Sequence, residues 1–242
     1  MTMPRSLPVS RRWLTAATWP VGVALTAWDY MWRSTPMHRS ERLDGPGSWQ
    51  PWPPVEAPSL IEHIQGTEEG HGPLFHRGYR TRIRDAALAP EKIMSVLQAN
   101  PNRVAPTKFA RFQKLHGSQG GMRVGDEYVV RMPGPWDGPV RVIEAAPCSF
   151  RLATLNGHLE AGQIEFRVRT TDPGQMTFEI ESWARSGGRV SNLLYHKLRF
   201  AKEVQAHMWI SFLEGVVSLS GGRMTGGIDI ETQQIDEPSD GR

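Results

Sequence analysis

From about Val190 to Leu219, the residues Val190, Leu194, Leu198, Ala201, Val204, Met208, Phe212 and Val216 recur at spacings of three and four. Lys197, Lys202, Glu203 and Gln205 lie largely off that face. This is the signature of one long amphipathic helix. Such a helix cannot bury its stripe alone, and a domain closes only when a second layer supplies a matching apolar surface. The rest of the chain therefore has to provide a broad apolar face. Ser220-Gly221-Gly222 ends the helix.

The upstream sequence meets that requirement with strands. Tyr79 to Arg84 alternates apolar or β-branched residues with arginine, the pattern of a half-buried strand. Pro90 then opens a helix with Glu91 in its first turn and Ile93, Met94 and Leu97 at helical spacing, and Asn100-Pro101-Asn102 stops it. After this the period switches to two. Lys108–Leu115, Gly125–Met132, Pro139–Ala145, Phe150–Leu155, Gln163–Arg169 and a run through Met176, Phe178 and Ile180 read as successive strands. Asp172-Pro173-Gly174 is a turn between two of them. Short connections imply antiparallel pairing. The predicted class is α+β, a curved antiparallel sheet wrapped around the long C-terminal helix.

Strand, helix, long meander and final long helix is the element order of the helix-grip fold of START-like and polyketide-cyclase-like proteins. Within it, Thr154 to Val168 contains Gly157-His158-Leu159-Glu160-Ala161-Gly162, and Phe178 to Ser186 follows. Together they resemble the DUF1990 (UPF0548) family, in which a Gly-His-x-Glu-x-Gly strand start precedes a strand ending in Ser-Arg-like residues. Here the order is Ser182-Trp183-Ala184-Arg185, a small departure. The resemblance spans roughly Tyr79 to Leu219. It implies the helix-grip fold and, with no established activity in the family, implies no reaction.

Outside that span the composition changes. Residues 1–34 form an apolar, Trp-rich segment, 35–73 a Pro/Gly-rich linker, 74–222 the helix-grip domain, and 223–242 a polar tail read as a loose strand or disordered chain. Trp13 to Trp32 is long enough to cross a bilayer and carries tryptophans near both ends. Pro20, Gly22 and Asp29 oppose a spanning helix. Ser10-Arg11-Arg12 partly matches a twin-arginine export signal, but bulky Trp28, Tyr30 and Met31 stand where small residues belong. Packing of this segment on the domain, membrane contact and export all stay open. The expected location is cytoplasmic, with membrane association through residues 13–32 as the variant.

Composition excludes several functions. A formal net charge of +3 without a Lys/Arg block argues against nucleic-acid binding. The single cysteine, Cys148, forms no intrachain disulfide and builds no cysteine-based zinc site; it reads as a small buried side chain at the start of a strand. His63, His71 and His76 lack metal-ligand spacing, and Gly117 to Gly121 joins two strands rather than a strand and a helix. No metal and no cofactor are expected.

A sheet wrapped on one helix leaves room for an apolar ligand with a few polar anchors. The expected partner is thus a small hydrophobic or lipid-like molecule, with His158, Glu160, Trp136, Trp183, Arg185 and Tyr195 as candidate contacts. His158 beside Glu160 forms a proton-transfer couple or, equally, a turn that fixes strand register. Gly157 and Gly162 bracket the pair, which points to a tight turn or a close backbone approach. Trp136, in Pro133-Gly134-Pro135-Trp136-Asp137-Gly138-Pro139, gates a pocket or caps the sheet. The competing readings are a cyclase- or hydrolase-like enzyme using His158 and Glu160 as acid and base, and a membrane-associated interaction module.

Overall fold

The computed structural model describes residues 35–42, 55, 58–107, 110–132, 137–187 and 199–235. Among the described residues nine strands form one sheet: β1 (Met37–Arg42), β2 (His71–Arg84), β3 (Arg111–His116), β4 (Glu127–Arg131), β5 (Asp137–Ala146), β6 (Ser149–Thr154), β7 (Glu160–Asp172), β8 (Gln175–Ser186) and β9 (Arg223–Ile235). Among the described residues three α-helices accompany them: α1 (Pro58–Ile61), α2 (Pro90–Ala99) and α3 (Arg199–Ser220). The spatial order is β1-β9-β2-β8-β7-β6-β5-β4-β3. Every neighbouring pair is antiparallel except β1 with β9, which is parallel. The curved sheet and its C-terminal helix are the helix-grip architecture that the sequence pattern implies.

Strand alternation decides what each face carries. On β7 the inner row is Glu160, Gly162, Ile164, Phe166 and Val168; on β8 it is Met176, Phe178, Ile180, Ser182, Ala184 and Ser186. The same face of β2 presents Phe75, Arg77, Tyr79, Thr81 and Ile83. α3 lies over these rows. Phe166 is fully buried, with ring centroids 4.6 Å from Phe150, 5.5 Å from Trp209 and 5.3 Å from Phe212. These stacked and edge-on geometries add to the simple burial of apolar area. α2 covers another part of the core with Ile93, Met94 and Leu97, all fully buried. Its Gln98 amide donates to the carbonyls of Ala146 and Ser149, tying the helix to the β5–β6 turn.

The outer face is held by charge. The Arg167 guanidinium donates to Glu179 at 2.6 Å and lies 2.8 Å from Glu165 and 2.7 Å from Glu181. Burial alone would push the Glu179 carboxyl up, but Arg167 and Arg80 outweigh it and hold its pKa below the usual value.

Three expectations change. The segment 35–73, read as a linker, supplies β1, α1 and the first three residues of β2, with a 3-10 turn at Thr67–Glu69. The stretch after Arg223, set apart from the domain as a polar tail that is a loose strand or disordered, takes the strand form and belongs to the sheet, running as β9 to Ile235 between β1 and β2. The physical reason is the free edge of β2: one side pairs with β8, and the other needs a ladder of its own. β9 provides it, with Ile228 and Ile230 turned inward and buried. Gly221, at φ +70, makes the sharp return from α3. Cys148, expected to be buried, is half-buried beside Glu91, and burial with that carboxylate pushes its thiol pKa up.

Among the described residues no helix is long and apolar enough to cross a membrane. The Trp13–Trp32 stretch and the first part of the expected C-terminal helix, 190–198, lie outside the described residues.

Candidate functional site

The Gly157–Glu160 turn leads from β6 into β7. Gly157 has φ +94, a left-handed conformation that glycine adopts without strain. Gly162 serves a different need: a Cβ there would stand 2.0 Å from the Trp183 carbonyl oxygen, so only glycine lets β7 approach β8. The Thr154 hydroxyl completes the junction, accepting from Gly162 N at 2.9 Å and donating to the Gln65 carbonyl at 2.8 Å.

His158 works inside this turn. Its Nδ1 lies 2.9 Å from the Glu160 backbone nitrogen and 3.0 Å from the Glu160 carbonyl oxygen, so the ring is held by the backbone of Glu160 in either tautomer. Nε2 lies against Gly138 of β5, where a Cβ would come within 2.9 Å. Burial lowers the pKa of the imidazole, against the smaller opposing pull of Glu160. Gln65 clamps the same turn. Its amide donates to the carbonyls of His158 and Glu160, both at 3.0 Å, and accepts from Gly157 N at 3.1 Å.

A pH prediction follows from that enclosure. The unfolded chain binds a proton near the ordinary histidine value of about 6.5, and the folded chain binds it only at lower pH. Stability is thus full above that value and falls as pH drops toward the folded pKa. Between pH 6.5 and 5.5 the native protein is expected to lose stability that His158→Gln retains. Urea melts of both proteins at the two pH values check this, and identical slopes would remove His158 as the cause.

The Glu160 side chain points elsewhere. Its carboxylate accepts from Arg77 Nη1 at 3.3 Å and from Gln205 Nε2 of α3 at 3.0 Å. Arg77 is buried on the inner face of β2, its guanidinium 4.9 Å from the Phe75 ring centroid. The cluster thus ties β2, β7 and the helix together at the end of the core opposite the Phe178 row.

Between this polar end and the Phe166–Trp209–Phe212 stack, the inner rows carry small residues. Gly162 pairs with Ala184, and Ile164 pairs with Ser182, which in turn pairs with Arg77. Ser182 and Trp209 are 5% and 6% exposed, and among the described residues neither Ser182 Oγ nor Trp209 Nε1 has a hydrogen-bond partner. Buried donors left in this state are costly, so their position marks the part of the interior suited to a polar atom from outside the chain.

The other sequence candidates divide. Trp183 and Arg185 occupy the outer face of β8, opposite to Ser182 and Ala184. Trp183 stacks on His76 with ring centroids 4.2 Å apart, and His76 Nε2 sits 2.6 Å from Glu181. Arg185 packs beside Gly70, where a Cβ would meet its own Cβ at 2.8 Å. The structure thus separates these two from Glu160. Trp136 and Tyr195 lie outside the described residues. Sequence reading missed Gln65, Arg77, Ser182 and Trp209 as site residues. Arg77 had a signal: it shares the parity of Phe75, Tyr79 and Ile83. Among the described residues no group of three His, Cys, Asp or Glu gathers as a metal-binding cluster.

No curated protein matches this chain. Several solved structures share its general shape. Norcoclaurine synthase from Thalictrum flavum superposes with a TM-score of 0.44 at 11% identity, over 62% of this chain and 92% of its own. A hypothetical protein from Helicobacter pylori gives 0.43 at 11% identity, over 59% and 87%. Ginseng major latex-like protein 151 from Panax ginseng gives 0.43 at 9% identity, over 60% and 97%. Likeness at this level says nothing about chemistry. The decisive match is to a family model described as a domain of unknown function, which covers residues 79–212, more than half of the chain: the protein belongs to the DUF1990 family.

Proposed function

We propose that this protein binds a small, largely apolar molecule between the inner face of its sheet and α3. The observation that carries the reading is the pair of buried, unpartnered donors, Ser182 Oγ and Trp209 Nε1. Ser182 is the next inward residue of β8 after Ala184, which pairs with Gly162, and is register-paired with Arg77 of the Arg77–Glu160–Gln205 cluster, while Trp209 leans on the Phe166 ring. Apolar walls with a few convergent polar groups are the composition of small-molecule sites. His158 is a positioning residue here, because the Glu160 backbone already engages its Nδ1.

The test uses N-phenyl-1-naphthylamine, a neutral apolar probe whose emission rises in dry surroundings. The full chain is expected to bind one equivalent saturably. Ala184→Leu, which fills the floor of the proposed site with an apolar side chain, weakens that binding at least about tenfold, equivalent to about 1.4 kcal/mol. Absence of saturable emission, or binding that Ala184→Leu leaves unchanged, would overturn the reading.

A further inference from the structure

We infer that the ligand presents a neutral hydrogen-bond acceptor, a carbonyl or ether oxygen rather than a carboxylate or phosphate, to Ser182 and Trp209; this rests on the binding reading above. The first ground is donor count. An indole N–H can only donate, and a serine hydroxyl can donate as well. Both are more than nine-tenths buried and without a partner among the described residues. Two donors on facing layers, one from β8 and one from α3, call for an oxygen with two lone pairs.

The placement of these donors follows from neighbouring contacts. Gln205 reaches Glu160 at one end of the helix, and Phe212 approaches Phe178 further along, with ring centroids 6.4 Å apart. Trp209 falls between them on α3 and meets Phe166 edge-on. Ser182 falls between the same limits on β8, two residues from Ile180, which pairs with Phe166. Both residues therefore sit in the interval between the polar cluster and the aromatic stack.

The second ground is charge. On the inner face of β2, β6, β7 and β8, the described Asp, Glu, Lys and Arg side chains of the core end are Glu160 and Arg77, which face each other at 3.3 Å, with the imidazoles of His71, paired with Ser186, and of buried His207 on α3 as further titratable groups. Arg77 already faces a carboxylate, so a second carboxylate entering beside it competes with Glu160 for the same guanidinium. Burying an uncompensated anion costs far more than burying a hydrogen-bonded neutral oxygen. A neutral acceptor gains both hydrogen bonds and avoids that cost.

Three molecules of similar shape separate the possibilities: acetophenone, benzoate and ethylbenzene. Each is titrated into the full chain labelled with 15N-tryptophan, and the Trp209 indole cross-peak is identified by its loss in Trp209→Phe. Acetophenone is expected to shift that peak downfield and to bind at least about tenfold more tightly than benzoate. Ser182→Ala lowers acetophenone affinity by roughly fivefold and leaves ethylbenzene unchanged. Benzoate binding as tightly as acetophenone, or all three binding alike, overturns the headgroup inference and leaves the apolar site standing. If none of the three moves the Trp209 peak and N-phenyl-1-naphthylamine also fails to bind, the site itself is refuted.

Discussion

Glu160→Ala is expected to lower the free energy of unfolding by about 3 kcal/mol. The reason lies in what it leaves behind. Arg77 is a buried guanidinium with its side chain only 5% exposed, and the Glu160 carboxylate is its partner at 3.3 Å. Removing the carboxylate takes away the ion-pair partner of a buried cation in a place where water cannot fully replace it, and also removes the acceptor of Gln205 Nε2 of α3. The loss is thus mostly a penalty on Arg77, not the intrinsic worth of the pair. A double change separates the two. Arg77→Met with Glu160→Leu removes both charges and replaces them with apolar bulk, and such replacements are often nearly neutral for stability. The double variant is therefore expected to recover most of what the single one loses. Urea unfolding of wild type, both single variants and the double variant gives the coupling. A Glu160→Ala loss below about 1 kcal/mol, or a double variant no better than the single, would show that the pair does not hold β2, β7 and the helix together.

The sequence was most legible where one physical rule acts alone. The period-two rows of β7 and β8 place Phe166, Val168, Phe178 and Ile180 inward as the alternation requires. Met208, Phe212 and Val216, predicted from helical spacing, are buried on α3. Reading failed where burial depends on a distant partner. Residues 223–235 look polar, with Asp229, Glu231 and Thr232, yet β9 is enclosed by β1 and β2. A strand flanked on both edges needs only one apolar face, and Ile228 and Ile230 supply it. Gln65 was illegible for the same reason: its three hydrogen bonds run to residues about ninety positions away in the chain.

The candidate site shows a further limit. His158 and Glu160 are two residues apart, a spacing open to a proton-transfer couple or to a turn that fixes strand register, and their side chains do separate tasks. The imidazole bonds the backbone of Glu160, while the carboxylate crosses to Arg77 and Gln205. Adjacency in a turn does not set the direction of either side chain. Trp183 and Arg185 were assigned to the interior with the strand that carries them. Parity counted from Phe178 and Ile180 sends them to the outer face, where Trp183 meets His76. Counting from the last certain inward residue would have corrected both.

Phe166→Ala is expected to cost about 4 kcal/mol, the largest loss from any single truncation in the aromatic core. Phe166 has no exposed surface and touches Phe150, Trp209 and Phe212, so its ring joins β6, β7 and α3 in one contact set. Truncation removes the transfer free energy of the ring and leaves a void that three rigid aromatic neighbours cannot readily fill. Phe166→Leu keeps most of the apolar volume and loses the ring geometry, so it is expected to cost only about 1–2 kcal/mol. The difference between the two variants measures how far the neighbours can collapse. It also bears on ligand binding, because the Trp209 indole leans edge-on against this ring. If Phe166 fixes the direction of Trp209 Nε1, Phe166→Leu weakens acetophenone binding more than ethylbenzene binding, whereas a change in site volume alone would affect the two equally. Thermal and urea unfolding give the stabilities, and titration of the two ligands into Phe166→Leu gives the orientation. A Phe166→Ala loss under about 2 kcal/mol would mean that the core between sheet and helix is loosely packed around this ring.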